Sequence, residues 1–227
     1  MAASDKYRRP ADLPRQIPLF PLRGAILLPR ATLPLNVFEP RYLAMVEDVM
    51  RGDRVIGVVQ PQASSEARIE SPSGNRVPLK KVGCAGRVTT YQELDDGRLL
   101  ITLSGVARFN LTAETDVAKP YRVADVDFES FASDLTAGLG EDDVDRDALL
   151  VVLRKYLDAN RLRADWRTIL KSSSEFLVNA LSVMSPYGPE EKQALLEAKN
   201  LKSRADVLVA LAEMELATSG GAGGTIQ

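Results

Sequence analysis

Few side chains in this sequence are of types and spacings that could carry chemistry, and each has a competing structural explanation. Cys84 follows Lys80 and Lys81, so a thiolate nucleophile is conceivable. An activating imidazole is nevertheless unavailable, because the chain contains no histidine; a packed, inert thiol is the better reading. Lys171-Ser172-Ser173-Ser174 places the two residue types of a Ser-Lys dyad side by side. Adjacent helical residues point in different directions, however, and a serine run between apolar stripes reads as a capping segment. Glu141, Asp142, Asp143 and Asp145 could gather a divalent cation but lack the alternation and glycine of a calcium loop, so they read as acids entering a helix. Gly83 and Gly86 flank Cys84 within extended sequence, with no following helix to aim amides at a phosphate, and read as a strand bend. Phe38-Glu39-Pro40-Arg41-Tyr42 could form a recognition surface or fix a strand-to-helix junction, with Glu39 capping the helix and Arg41 pairing with a carboxylate.

Composition narrows the choice further. The 227 residues carry 29 Lys+Arg against 31 Asp+Glu, a net charge of −2, with one cysteine, 45% hydrophobic and 26% charged residues. This is globular composition. Without histidine, imidazole triads and HExxH zinc sites are excluded, and one cysteine makes neither an internal disulfide nor a Cys-rich zinc cluster. Neither GxxxxGK[ST] nor GxGxxG occurs. No metal or cofactor is expected. The longest apolar runs, such as residues 148–153, fall far short of the ~20 residues of a membrane span. The basic, proline-interrupted start lacks a signal-peptide core, so a cytoplasmic location is expected.

The elements that must position these residues fall into two halves. Residues 17–128 alternate β-favouring stretches with Pro and Gly turns, and residues 141–217 carry apolar residues at helical spacing. The small, polar stretch 129–140 reads as a linker, residues 1–16 as a flexible arm, and residues 218–227, glycine-rich, as a flexible tail. Prolines in 17–22 and 33–38 predict edge strands or strand ends. Tyr42, Met45, Val46 and Val49 predict one apolar helix face beginning at Pro40 and ending at Gly52. Val55 to Val59 reads as a buried strand, residues 61–76 as a polar loop, and Asp96-Gly97 as a type I′ hairpin before a strand whose Leu99, Ile101 and Leu103 face the core. Six or seven strands and one inserted helix suggest a small closed or partly closed barrel. In the second half the predicted stripes are Leu149, Leu150, Leu153 and Leu157; then Leu177, Ala180, Leu181 and Met184; then Ala194, Leu195 and Ala198; and finally Leu201, Ala205, Leu208 and Leu211. A short helix holds Trp166, Ile169 and Leu170, and Asn200 or Ser203 caps the last helix.

The run IPLFPL (17–22), then Leu28-Pro29, then LPLNVFEPRY (33–42) resembles the opening of the amino-terminal substrate-binding domain of Lon proteases. Gly86-Arg87-Val88, Asp96-Gly97-Arg98, Gly105 to Phe109 and the segment 191–197 followed by Arg204 extend the resemblance from about residue 17 to 216. It implies an α+β fold, a PUA-like β pseudo-barrel followed by a C-terminal helical bundle, that engages unfolded or tagged polypeptides. The ATPase and Ser-Lys peptidase modules of the full protease have no counterpart here, so the expectation is a stand-alone, non-catalytic module binding polypeptide substrates or a partner protein. Phe20, Leu22, Phe38 and Tyr42 are its candidate peptide-binding residues. An exposed apolar groove would equally suit a homodimer contact. The competing class is an RNA-binding or RNA-modification accessory, with Arg87, Arg98, Arg108 and Arg122 converging on one face. The charge of −2 and the lack of an aromatic-rich strand disfavour nucleic acid.

Overall fold

A computed structural model describes residues 6–62 and 77–221, the last three by backbone alone. The expected polar loop falls almost wholly outside the described residues, as do residues 1–5 and 222–227. Six strands, β1 (Gln16–Pro21), β2 (Thr32–Val37), β3 (Val55–Val59), β4 (Val82–Glu93), β5 (Leu99–Thr115) and β6 (Val123–Asp127), form one mixed sheet. Helix α1 (Pro40–Met50) is inserted between β2 and β3. Five helices follow: α2 (Arg146–Ala159), α3 (Trp166–Lys171), α4 (Ser174–Met184), α5 (Pro189–Glu197) and α6 (Leu201–Gly221). The fold is α+β.

Strand order β2-β5-β4-β3-β1-β6, with β6 pairing back onto β5, makes a closed circuit of five strands on which β2 hangs as an edge. All pairings are antiparallel except β1 with β3. Strand β1 is therefore internal and not an edge, while Pro21 stands at its end, the other position its prolines predict. Its first half pairs with β6 (Ile17 opposite Ala124) and its second half with β3 (Phe20 opposite Val58). The hand-over between neighbours limits the ladder bonds that Pro18 and Pro21, lacking an N–H, would be required to supply.

Alternation sorts the side chains into two cores. Ile17, Leu19, Val55, Val59, Phe109 and Phe128 belong to one, joined by Tyr7 and Leu13 of the supposedly flexible arm. Phe20, Ile56, Val58, Cys84 and Leu103 belong to the other, which continues without a break into Tyr42, Met45 and Val46 of α1 and Leu149, Leu177, Leu195 and Leu208 of the helices. Glycines make room at the tightest points: a Cβ on Gly83 would lie 2.5 Å from Phe109 Cζ, and one on Gly86 2.5 Å from Leu27 Cδ2. The glycines around Cys84 thus serve close packing. Gly105 N–H donates to Ala31 O, and its own carbonyl accepts from Arg30 N, both at 2.9 Å. A Cβ there would stand 1.9 Å from the Leu28 carbonyl oxygen, so only glycine lets the 22–31 segment cross β5.

Several local expectations are revised. The β4–β5 hairpin has a three-residue loop closed by Gly97 N–H to Leu94 O at 2.9 Å; Gly97 is left-handed (φ 80°) and Asp96 is not, so it is no type I′ turn. The stretch 129–140 contains a 3₁₀ segment, Glu129–Leu135, whose Asp134 is buried. In α4 the buried face is Glu175, Val178, Asn179 and Ser182 with Leu177, leaving Ala180 and Leu181 half-buried and Met184 out in solvent. In α5, Lys192, Gln193, Leu195 and Leu196 are buried, while Ala194 is exposed. Helix α6 continues through residues 218–221 of the expected tail.

Candidate functional site

The helices leave an apolar groove open between α2, α4 and α6. It encloses about 350 Å³, and its walls include Leu149, Val152, Leu153 and Tyr156 of α2, Leu181 and Met184 of α4, and Leu208, Val209 and Ala212 of α6. Each wall is one helical stripe, since residues three and four apart share a face. Asp145 starts α2 by accepting the Ala148 N–H at 2.9 Å, and Ser173 starts α4 by accepting the Phe176 N–H at 3.2 Å. Asp145 of the acidic run and Ser173 of the serine run thus act as caps, while Ser172 Oγ donates to Thr168 O and Ser174 Oγ accepts from Arg146.

The floor and one end are set by the turn 185–188, of which Pro186 and Tyr187 line the groove. Lys192 holds the end of α4 just before that turn. Its side chain is buried, and Nζ donates to the carbonyls of Ser182 (2.9 Å) and Val183 at the C-terminal end of α4. A cation there satisfies orphan carbonyls and opposes the negative end of the helix dipole. Burial lowers its pKa to about 8. Tyr187 is pushed up to about 12 by burial, with the Glu215 carboxylate and Tyr156 adding to it. The Tyr156 phenol, also raised by burial, hydrogen bonds to Glu215. Both hydroxyls therefore remain neutral at the rim of an otherwise oily channel, the Tyr156 O–H being committed to Glu215. Met184 is 79% exposed and Leu162 54% exposed at its mouth, an arrangement suited to soft, adaptable apolar contact.

Of the four sequence-predicted binding residues, only Phe38 is on the surface, at 63% exposure. Phe20 and Tyr42 are internal, their rings 4.2 Å apart, and Leu22 is half-buried against the same core. Phe20 and Tyr42 cannot touch a ligand without opening that core; their role is to seat α1 on β1. At the junction Glu39 occupies the N-cap position but makes no side-chain cap; its carboxylate pairs with Arg41 at 2.8 Å instead. The Arg41 guanidinium lies 4.6 Å from the Tyr42 ring centre. Cys84 is fully buried, and desolvation raises its thiol pKa far above the ordinary value. Each of the four arginines of the RNA reading has a partner within the chain. Arg108 and Arg122 are buried against Asp134 and Glu114, Arg98 is engaged by Asp96, and Arg87 donates to Tyr7 Oη and Asp53 O. Among the described residues no group of three or more Cys, Asp or Glu side chains is placed to hold a metal, and no helix is long and apolar enough to cross a membrane.

Gln60 and Asn179, which sequence reading did not single out, and Arg108, a candidate there only for RNA, fix the helices to the sheet. Gln60 after β3 donates to Pro189 O (2.8 Å) and Gln193 Oε1 (3.1 Å) and accepts the Gly24 N–H (2.8 Å). Arg108 reaches Leu196 O and Ala198 O, and Asn179 donates to Pro29 O at 3.0 Å. The one available signal was their presence among apolar stripes at positions that should face inward.

A model of the ATP-dependent protease La (LON) substrate-binding domain matches residues 16–213. Lon protease 2 of Myxococcus xanthus is 28% identical over 207 residues, which is 88% of this chain and 24% of that protein. The Lon protease of Flavobacterium johnsoniae is 26% identical over 202 residues, 86% of this chain and 23% of that one. The chain thus spans about a quarter of the length of these relatives. Among solved structures, a Lon N-terminal domain protein from Xanthomonas campestris superimposes with a TM-score of 0.59 at 22% identity, covering 86% of this chain and 97% of that one. The N-terminal domain of the Mycobacterium avium complex Lon protease gives 0.60 at 16% identity, covering 87% and 98%. At these identities the structural likeness concerns the fold.

Proposed function

We propose, because the chain belongs to the ATP-dependent protease La (LON) substrate-binding domain family, that it holds polypeptide segments without cutting them, and that the groove between α2, α4 and α6 is where it does so. The observation carrying this reading is the groove itself: a channel of about 350 Å³ with aliphatic walls and an exposed methionine at its lip. Folded proteins bury such surface unless something else covers it. Apolar side chains of an unfolded segment would fill the channel, while the Tyr156 and Tyr187 hydroxyls meet the backbone that remains outside. The sequence supports a binding role over a catalytic one, since it holds no histidine and no nucleoside-phosphate loop. Phe38, exposed beyond β2, is a second contact surface on this reading.

The test is a titration of the chain with a fluorescently labelled, permanently unfolded polypeptide, against the same polypeptide's folded parent. Saturable binding of the unfolded form alone, weakened by Leu181→Asp, is expected. Equal retention of both forms, or binding unaltered by that substitution, would overturn the assignment.

A further inference from the structure

Helix α2 has two working faces. Leu149, Val152, Leu153 and Tyr156 look into the groove, and Leu150, Val151, Arg154 and Lys155 lie on the opposite side, at helical spacing. Together with Trp166 and Leu170 of α3 they line a separate cleft of about 460 Å³. Its walls are fixed. Arg146 of α2 holds the end of α3, its Nη2 donating to Ser172 O at 2.7 Å and to Ile169 O at 3.2 Å, and the Arg154 guanidinium stacks on the Trp166 ring, 4.6 Å from its centre. Val151 is nevertheless 53% exposed and Leu170 61% exposed. Adjoining apolar side chains left open on a fixed surface mark a contact site.

The surrounding charge is one-sided. Residues 147–171 hold six Lys and Arg against three Asp, within a chain whose net charge is −2. In the cleft itself Arg154 and Lys155 are matched in number by Asp147 and Asp158. The excess comes from Arg161, Arg163, Arg167 and Lys171, set against Asp165 alone. Asp165 is committed to starting α3, accepting the Arg167 N–H (3.0 Å), the Thr168 N–H (3.2 Å) and the Thr168 hydroxyl (2.7 Å). The further acids Glu141–Asp143 pack against α6. Lys155, Arg161, Arg163, Arg167 and Lys171 are all exposed, and among the described residues none of them forms a salt bridge. Arg167 and Lys171, one turn apart and each next to an apolar residue, run as a basic stripe alongside Trp166 and Leu170.

We propose that the α2–α3 cleft docks an acidic amphipathic segment of a partner polypeptide. One large apolar side chain enters between Val151 and Leu170, and carboxylates beside it meet Lys155, Arg167 and Lys171. Cations interleaved with open apolar side chains call for a partner that carries both complements. Nucleic acid supplies the charge, but Arg154 already covers a Trp166 face on which a base would stack, and Val151 and Leu170 would stay uncovered. A bilayer surface supplies both, but it is too broad to enter a cleft between two helices. The site is distinct from the groove and stands whether or not the groove holds polypeptide.

Trp166 is the single tryptophan of the chain, so its fluorescence reports on this cleft alone. The experiment titrates the full chain with a tryptophan-free peptide repeating Asp-Leu-Glu-Phe, with its neutral counterpart repeating Asn-Leu-Gln-Phe, with oligothymidylate and with phosphatidylglycerol vesicles. A saturable change with the acidic peptide is expected, weakened at about 0.5 M salt and at least about tenfold tighter than for the other three probes. Arg167→Glu combined with Lys171→Glu should weaken binding about tenfold or more, and Leu170→Ser, which leaves every charge in place, by a similar factor. Leu181→Asp in the groove should leave it unchanged. The proposal is overturned by an unresponsive Trp166, by equal binding of the neutral peptide, or by full affinity in Leu170→Ser. Tighter binding of oligothymidylate or of the vesicles overturns it in favour of those partners, and a Trp166 change with protein concentration alone in favour of a second copy of the chain.

Discussion

Arg108 on β5 and Asp134 in the 3₁₀ segment between sheet and helices form a buried two-pronged ion pair, Nη2 to Oδ1 and Nε to Oδ2 both at 2.8 Å. The Arg108 backbone N–H adds a third bond to Oδ2 at 3.0 Å, and the Phe131 ring lies 4.5 Å from the guanidinium carbon. The same guanidinium reaches the carbonyls of Leu196 and Ala198, so one side chain ties β5 to the stretch after it and to α5.

Removing one partner leaves the other buried and uncompensated. Asp134→Ala should cost about 3–5 kcal/mol of unfolding free energy, measured by urea denaturation. Combining it with Arg108→Leu should restore part of that loss, because the orphaned charge goes too.

The groove reading separates two surfaces. Met184→Asp should weaken binding of an unfolded polypeptide about tenfold, equivalent to about 1.4 kcal/mol. As an exposed substitution it should shift stability by no more than about 0.5 kcal/mol. Phe38→Asp reads the second surface in the same titration, and a larger loss there than at Met184 would move the principal contact to the strand side.

Lys192 gives stability a dependence on alkaline pH. Its folded-state pKa of about 8 lies below the ordinary 10.5, so between those values the unfolded chain holds the proton more often than the folded one. Stability should therefore rise as pH increases through that window, and the penalty should be fully present below it. In Lys192→Met this rise is absent. Denaturation midpoints of the two proteins, compared from neutral pH up to about 9.5, check the sign before the tyrosines ionise.

Two glycines should respond differently to alanine. Gly97→Ala, at a left-handed turn with open space around it, should cost about 1 kcal/mol. Gly105→Ala collides with the Leu28 carbonyl and forces backbone apart, so its loss in thermal or urea stability should be several times larger.

Strong periodicity was readable where polar residues lay outside. The apolar face of α1 (Tyr42, Met45, Val46, Val49) and the alternation of Leu99, Ile101 and Leu103 are as their patterns require. Reading went astray where polar groups are internal. Glu175, Asn179 and Ser182 occupy the buried face of α4, each with a partner more than thirty residues away or on its own helix turn, and this rotates Met184 into water. Hydropathy assigns such residues outward, and no local signal says that a distant carbonyl or guanidinium awaits them. Phe20 and Tyr42 are large and aromatic, which describes core residues as well as contact residues. Leu149, Leu153, Leu157, Leu181, Met184 and Leu208 belong to the helical stripes, whereas Val152, Tyr156, Val209 and Ala212 complete the groove from beside them; that three stripes fail to meet fully is a tertiary fact.

The circuit of strands has a kinetic corollary. Strand β1 is made well before β6, yet its first half finds its partner only when β6 arrives, with Gln16 and Asp125 separated by 109 positions. Until then β1 has β3 alone, and β5 must wait with its second half open. Such long-range closure slows folding and prolongs the exposure of unpaired strand backbone on the nascent chain, so refolding should be slow for a domain of this size and sensitive to anything that delays the delivery of residues 123–127.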